Sequence, residues 1–294
     1  MFKQIKVWLV LTTIFSLLAF ASSCSKPAED SGSTNDGAKP AGKAYTAKGD
    51  EGTVSGAISF TGTPPAPKKI DSSADPACGT ANPNLVTEDT AVADGKLANV
   101  FVYIKDGAAA DGTKIGDYAF TPPSDAVTLD QKGCQYVPHV LGVQVNQKFK
   151  VTNSDQTQHN IHPNPKSNPG WNQTQANGAA PIEKTFTRHE VLIPVKCDQH
   201  PWMKSYVAVV KHPFFAVSAA DGTFVIKGLP PGKYTVAAWH EKGGPNGTEK
   251  TMEVTVAANG TAKADFAFGE AATVSNKPGL EMMPALELPM LGRH

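Results

Sequence analysis

The chain has 294 residues with 27 basic and 27 acidic side chains, so it offers no general electrostatic attraction to nucleic acid. Its length allows a large single unit or two small domains once the terminal segments are set aside. With 26 glycines, 23 prolines and apolar residues that alternate in short runs, the composition excludes a helical bundle and points to an all-β protein.

Residues 1–23 place Lys3 and Lys6 before a short apolar run that ends in small residues, the pattern of an export signal. The ending Ala21-Ser22-Ser23-Cys24 resembles a bacterial lipoprotein cleavage box, with Ala21 where that family usually has Leu. The resemblance implies a lipidated Cys24 and a membrane-anchored protein facing the periplasm or the cell surface; simple secretion is the alternative. In the same family an Asp after the cysteine favours the inner membrane, and Ser25 stands there instead, which tilts the expectation toward the outer membrane. Loss of the signal leaves 25 bases against 27 acids in the mature chain.

Residues 24–50 are Ser, Gly, Pro, Ala and charge without an apolar period, and are expected to be a disordered tether. From residue 51 the pattern becomes β. Val54, Gly56, Ile58 and Phe60 share one parity, and so do Val143 with Val145, and Phe149, Val151 and Asn153, as strands with one buried face require. In "HEVLIPVKC", Val191, Ile193, Val195 and Cys197 share a parity, which aims the thiol at the core. Residues 269–294 lack strand grammar and read as a disordered tail, although Met282, Met283 and Met290 are copper-compatible thioethers.

The four cysteines divide by position. Cys24 is the lipid acceptor and Cys197 belongs to the motif described next. Cys78 and Cys134 remain, and in an oxidising compartment two such thiols most simply form a disulfide; the rival is a second metal site joining Cys134 to His139.

In "VKCDQHPWMK" a Cys, a His and a Met follow one another at three-residue steps: Cys197, His200 and Met203. A thiolate, two imidazoles and a longer-range thioether form the compromise site that suits both oxidation states of copper, whereas a closed zinc site has little use for Met. The second imidazole must come from a neighbouring strand end, and "SDQTQHNIHP" offers His159 and His162. His159-Asn160-Ile161-His162 followed by Cys197-x-x-His200-Pro201-Trp202-Met203 resembles the cupredoxins, most of all the amicyanin and plastocyanin-type blue copper proteins with a short ligand loop. The resemblance covers roughly residues 130–212. It implies a Greek-key β-sandwich and one mononuclear type 1 copper ion on His159, Cys197, His200 and Met203, with His162 as the alternative ligand. It also implies that Asn160 pins the ligand loops together, and that the His200 edge opens to the surface among Pro201 and Trp202 as electron port and docking patch for redox protein partners. His139, His189, His212, His240 and His294 are expected to be ordinary core or surface residues.

The segment 213–268 carries "DGTF" and "GLPPGKY" and resembles the carboxypeptidase regulatory-like, transthyretin-type β-sandwich, as does the opening "GTVSGAISFTGTPP". Its strand pairs are expected to close at Asp221-Gly222 and at Leu229-Pro230-Pro231-Gly232. The copper module, placed at 106–212, is then either inserted between 51–105 and 213–268 or set in tandem with them. No protease, haem or oxidase-type motif is visible. The functional expectation is a one-electron carrier and not an enzyme, with a copper carrier or a structural surface lipoprotein as alternatives.

Overall fold

In the computed structural model, residues 42–244 and 246–269 are described. The signal segment, Cys24, the three tail methionines and His294 lie outside them. Almost all regular structure is β, arranged as two sandwiches that share an apolar face.

The first sandwich is assembled from both ends of the described chain. In one sheet the long strand Gly52–Thr61 pairs with Thr223–Leu229 on one side and, in parallel, with Thr261–Lys263 and Phe266–Gly269. In the other, Phe101–Ala109 lies between Phe215–Val217 and Gly232–His240, and Thr248–Val256 extends the edge. Alternation along Gly52–Thr61 sends Val54 and Ile58 inward, where they meet Val102, Ile104, Phe224, Ile226, Val236 and Phe266. Residues 106–109, assigned above to the copper module, are the end of this first-sandwich strand.

The second sandwich comes from the intervening chain. One sheet runs Ile182–Thr185, Lys148–Asn153, Val127–Gln131, Tyr136–Val137; the other runs Gln173–Gln175, His159–Pro163, Glu190–Lys196, Lys204–Val210, Val140–Gln144. Leu129, Phe149, Val151, Ile161, Ile193, Val195, Val207 and Val209 fill the space between them.

Where the two sandwiches meet, simple alternation disappears. Phe101 to Ile104 are buried without a break, and so are Val207 to Val210, because both faces of these strands are covered. Phe101, Tyr103, Val140, Ala208, Val210 and Ala237 form that shared layer. The parity expected from Val191 to Cys197 also breaks. Leu192 adopts φ 68°, the register shifts between Glu190 and Ile193, and Val191 packs with the shared layer while Ile193, Val195 and Cys197 face the inner core.

Two further expectations need correction. The tether expected to reach residue 50 stops earlier: Lys43–Ala44 pairs in parallel with Tyr118–Ala119, and the Tyr45 ring packs on Tyr118, Phe120 and Phe214. The Leu229-to-Gly232 turn is a corner between sheets and not a hairpin, since Thr223–Leu229 and Gly232–His240 belong to different sheets. Consecutive prolines supply no N–H for a ladder, and the Tyr234 hydroxyl donates to the Pro230 carbonyl at 2.8 Å to hold the corner. The Asp221-Gly222 turn likewise links strands of different sheets; Gly222 takes φ 75°, and Asp221 Oδ1 accepts from the Thr223 amide at 2.9 Å.

Candidate metal centre

Three structural pieces bring the site together. His159 opens the strand His159–Pro163, Cys197 follows the strand Glu190–Lys196, and Met203 precedes the strand Lys204–Val210. The last two strands are antiparallel partners, so the loop 197–203 is a tight connection, closed by bonds from the Cys197 amide to the Met203 carbonyl (3.2 Å) and from the Met203 amide to the His200 carbonyl (2.9 Å). Asn160 ties this loop to the strand of His159, because its Oδ1 accepts from the amides of Asp198 at 2.7 Å and Gln199 at 3.4 Å. The Cys197 thiol also donates to Asn160 Oδ1 at 3.3 Å.

The donor atoms of His159, Cys197 and His200 all lie within 4.8 Å of one another. His159 Nδ1 and His200 Nδ1 are 2.9 Å apart, and Cys197 Sγ lies 3.8 Å from His200 Nδ1. Exposure is 0% at His159, 1% at Cys197, 5% at His200 and 1% at Met203, so the cluster is sealed from solvent. Met203 belongs to the same apolar cluster as Cys197.

The far side of each imidazole is held by a carboxylate. His159 Nε2 donates to Asp155 Oδ2 at 2.9 Å, and His200 Nε2 donates to Asp75 Oδ2 at 3.1 Å. An ionised carboxylate only accepts, so each Nε2 carries a proton, and the two Nδ1 atoms that face each other hold at most one more between them. Two ring nitrogens and a sulfur that converge in a dry space call for one positive charge among them, either a proton on the His159 ring or a metal ion in its place. That is the arrangement a soft or borderline metal ion satisfies, and the N, N, S and thioether donors present suit copper.

The electrostatics of the cluster show where that charge sits. Burial pushes the His159 pKa down, but hydrogen bonding to Asp155 and Cys197 more than offsets this and holds it up to about 9. Burial pushes the Cys197 thiol up, yet His159 and the backbone amides of Asn160, His200 and Gln199 leave it below its ordinary value. For His200, burial is the leading cause of a lowered pKa, opposed by Asp75. The pocket therefore favours one positive charge beside the Cys197 sulfur.

His162 stands apart from this cluster. It is one-third exposed, and its Nδ1 donates to Asp198 Oδ2 at 2.9 Å in a surface network with Asn172 and Lys196. The expectation of an open His200 edge is overturned. A short helix, Pro76–Ala81, sits over the ring, with Asp75 on Nε2 and Cys78 Sγ 3.7 Å from the same nitrogen. Cys78 and Cys134 form a disulfide, which places that helix against the metal-site sandwich. Pro201 is exposed and Trp202 half-buried, the Trp202 ring lying 5.1 Å from that of His200 and donating from Nε1 to the Cys134 carbonyl at 3.0 Å. His139 is buried against Glu241.

Asp155 and Asp75 are the residues that sequence reasoning missed. Asp155 lies four positions before His159, a short separation that gave a usable signal; Asp75 lies 125 positions from His200, where no local pattern points to it.

No family model matches the chain, and no curated protein matches it by sequence. Among solved structures it is similar to a copper-containing nitrite reductase from Thermus scotoductus SA-01, at 21% identity and a TM-score of 0.28, over 32% of this chain and 24% of that one. The chain thus spans about a quarter of the reductase. It is similar to an amicyanin mutant in its oxidised state at 19% identity and a TM-score of 0.27, covering 37% of this chain and 97% of that one. A purple cupredoxin from Nitrosopumilus maritimus aligns at 26% identity with a TM-score of 0.23, over 26% of this chain and 81% of that one.

Proposed function

We propose that this protein is a one-electron carrier that holds a single type 1 copper ion on His159, Cys197, His200 and Met203. The observation that carries the reading is the pair of carboxylate-anchored imidazoles whose Nδ1 atoms face each other at 2.9 Å beside a buried thiol. Bound copper would supply reversible one-electron chemistry. The protein's part is to keep the donors in one geometry acceptable to both oxidation states, which the pinned loop and the two carboxylates support.

Burial also separates this reading from its rivals. Sealed donors leave no approach for a substrate, which favours outer-sphere transfer over turnover. They equally oppose the rapid exchange a copper carrier needs. With the His200 edge covered, we assign the electron port and the small transient docking face of a redox partner to exposed Pro201 and the Trp202 ring, 5.1 Å from the His200 ring. The same reading places the protein outside the cytoplasm, held by a lipid on Cys24 to a membrane facing the periplasm or cell surface, with the outer membrane preferred.

Voltammetry of the copper-loaded protein, paired with competition against a chelator, tests this function. A reversible one-electron couple with copper retained over many cycles is expected. Irreversible reduction, or copper passing to the chelator within seconds in both oxidation states, would show a carrier instead.

A further inference from the structure

The stretch between the first two long strands is not spent as a plain connection. Residues 68–87 leave the first sandwich and return to it: Lys69 bridges Val86, and the Thr87 amide donates to the Lys68 carbonyl at 3.0 Å. Their tip is the helix Pro76–Ala81, N-capped by Asp75, whose Oδ1 accepts from the Ala77 amide at 2.9 Å. Four ties fix this tip to the metal-site sandwich. They are the Cys78–Cys134 disulfide, the bonds from Asn82 Nδ2 to the Gly133 carbonyl and to Gln135 Oε1 (3.3 Å each), and the bond from the Thr157 hydroxyl to Asp75 Oδ2 at 2.7 Å. The remaining contact of that oxygen is His200 Nε2.

We infer that this segment is a fixed cover of the metal centre and that Asp75 is its positioning residue, holding the His200 ring so that Nδ1 stays on the metal in both oxidation states. The inference rests on the copper reading above and adds a residue from outside the metal-site sandwich to it. A histidine ring with a free outer edge is oriented only by its bond to the metal and can turn about its side-chain torsions. Here rotation breaks the bond to Asp75 and meets Cys78 on one side and the Trp202 ring on the other. Thr157 and the helix N-terminus hold the carboxylate itself, so the restraint is passed through to rigid backbone.

The test compares the full chain with Asp75→Asn, Asp75→Glu and Thr157→Val. In metal-free protein, nitrogen-15 NMR of the imidazoles reads the tautomer and proton exchange of His200 without any copper. Wild type is expected to show a slowly exchanging Nε2 proton, and Asp75→Asn to lose that protection. In ascorbate-reduced, copper-loaded protein, transfer of copper to a Cu(I) chelator is expected to run about 10- to 100-fold faster in Asp75→Asn, with Asp75→Glu restoring most of the difference and Thr157→Val falling between. Release from Asp75→Asn within twofold of wild type, or an unprotected His200 Nε2 proton in the wild-type chain, overturns the role of Asp75. Failure of the wild type to hold copper at all would instead refute the proposed function, while the NMR comparison would still decide whether Asp75 holds the ring.

Discussion

At the scale of single residues, chemistry is concentrated where charge is buried and paired. His159 combines complete burial with an acidic partner, Asp155, that itself accepts from the Gly133 and Cys134 amides at 2.6 and 2.8 Å. Against burial, the His159 hydrogen bond and those amides keep Asp155 ionised, and ionised Asp155 keeps a proton on His159 Nε2. Asp155→Asn should therefore weaken copper affinity about 10- to 100-fold without unfolding the chain, measured by competition with a chelator of known strength. An unchanged affinity would mean that the tautomer is fixed by something else. The donors themselves were legible in the sequence because Cys197, His200 and Met203 are local. The choice of His159 over His162 needed the resemblance, and the strand geometry explains it: the two histidines are three residues apart and so lie on opposite faces of one strand.

At the scale of elements, strands were readable wherever one face meets solvent and unreadable where neither does. Gly52–Thr61 alternates cleanly, whereas Phe101–Ile104 is buried throughout because a second sandwich lies on its outer face. The covering segment was illegible for a different reason, since its Asp-Pro cap and buried Cys78 acquire meaning only beside residues far along the chain. Its disulfide joins positions 56 apart, and the chain-entropy account of loop closure gives a stabilisation of about 4 kcal/mol for that span. The double variant Cys78→Ser, Cys134→Ser is expected to lose about 2 to 4 kcal/mol in denaturant unfolding. A loss under about 0.5 kcal/mol would mean that the cover's hydrogen bonds alone hold it in place.

At the scale of the molecule, the two sandwiches are joined through an apolar layer, so groups trapped near it report on the stability of the whole. His212 and His240 are buried in or beside the first sandwich, and burial lowers each pKa to about 4. Between about 4 and 6.5 the unfolded chain binds these protons and the folded chain does not. Stability conferred by the neutral rings is thus complete above about 6.5 and is lost as pH falls toward 4. His139, raised by its glutamate partner although burial opposes it, works in the opposite sense. The clean test is consequently a difference: His212→Gln should lose about 2 kcal/mol less than wild type between pH 7 and pH 5 in urea unfolding. Equal losses would show that His212 takes up its proton in the folded state at its ordinary pKa.

Three buried donors, His159, Cys197 and His200, converge at one point, and a visible spectrum tests directly whether they bind copper. Copper(II)-loaded protein should show an intense sulfur-to-copper charge-transfer band in the visible, and Cys197→Ser should abolish it while leaving the fold intact by far-ultraviolet circular dichroism. A wild-type spectrum with only the weak bands of copper bound by nitrogen and oxygen, or a band that survives Cys197→Ser, would contradict it.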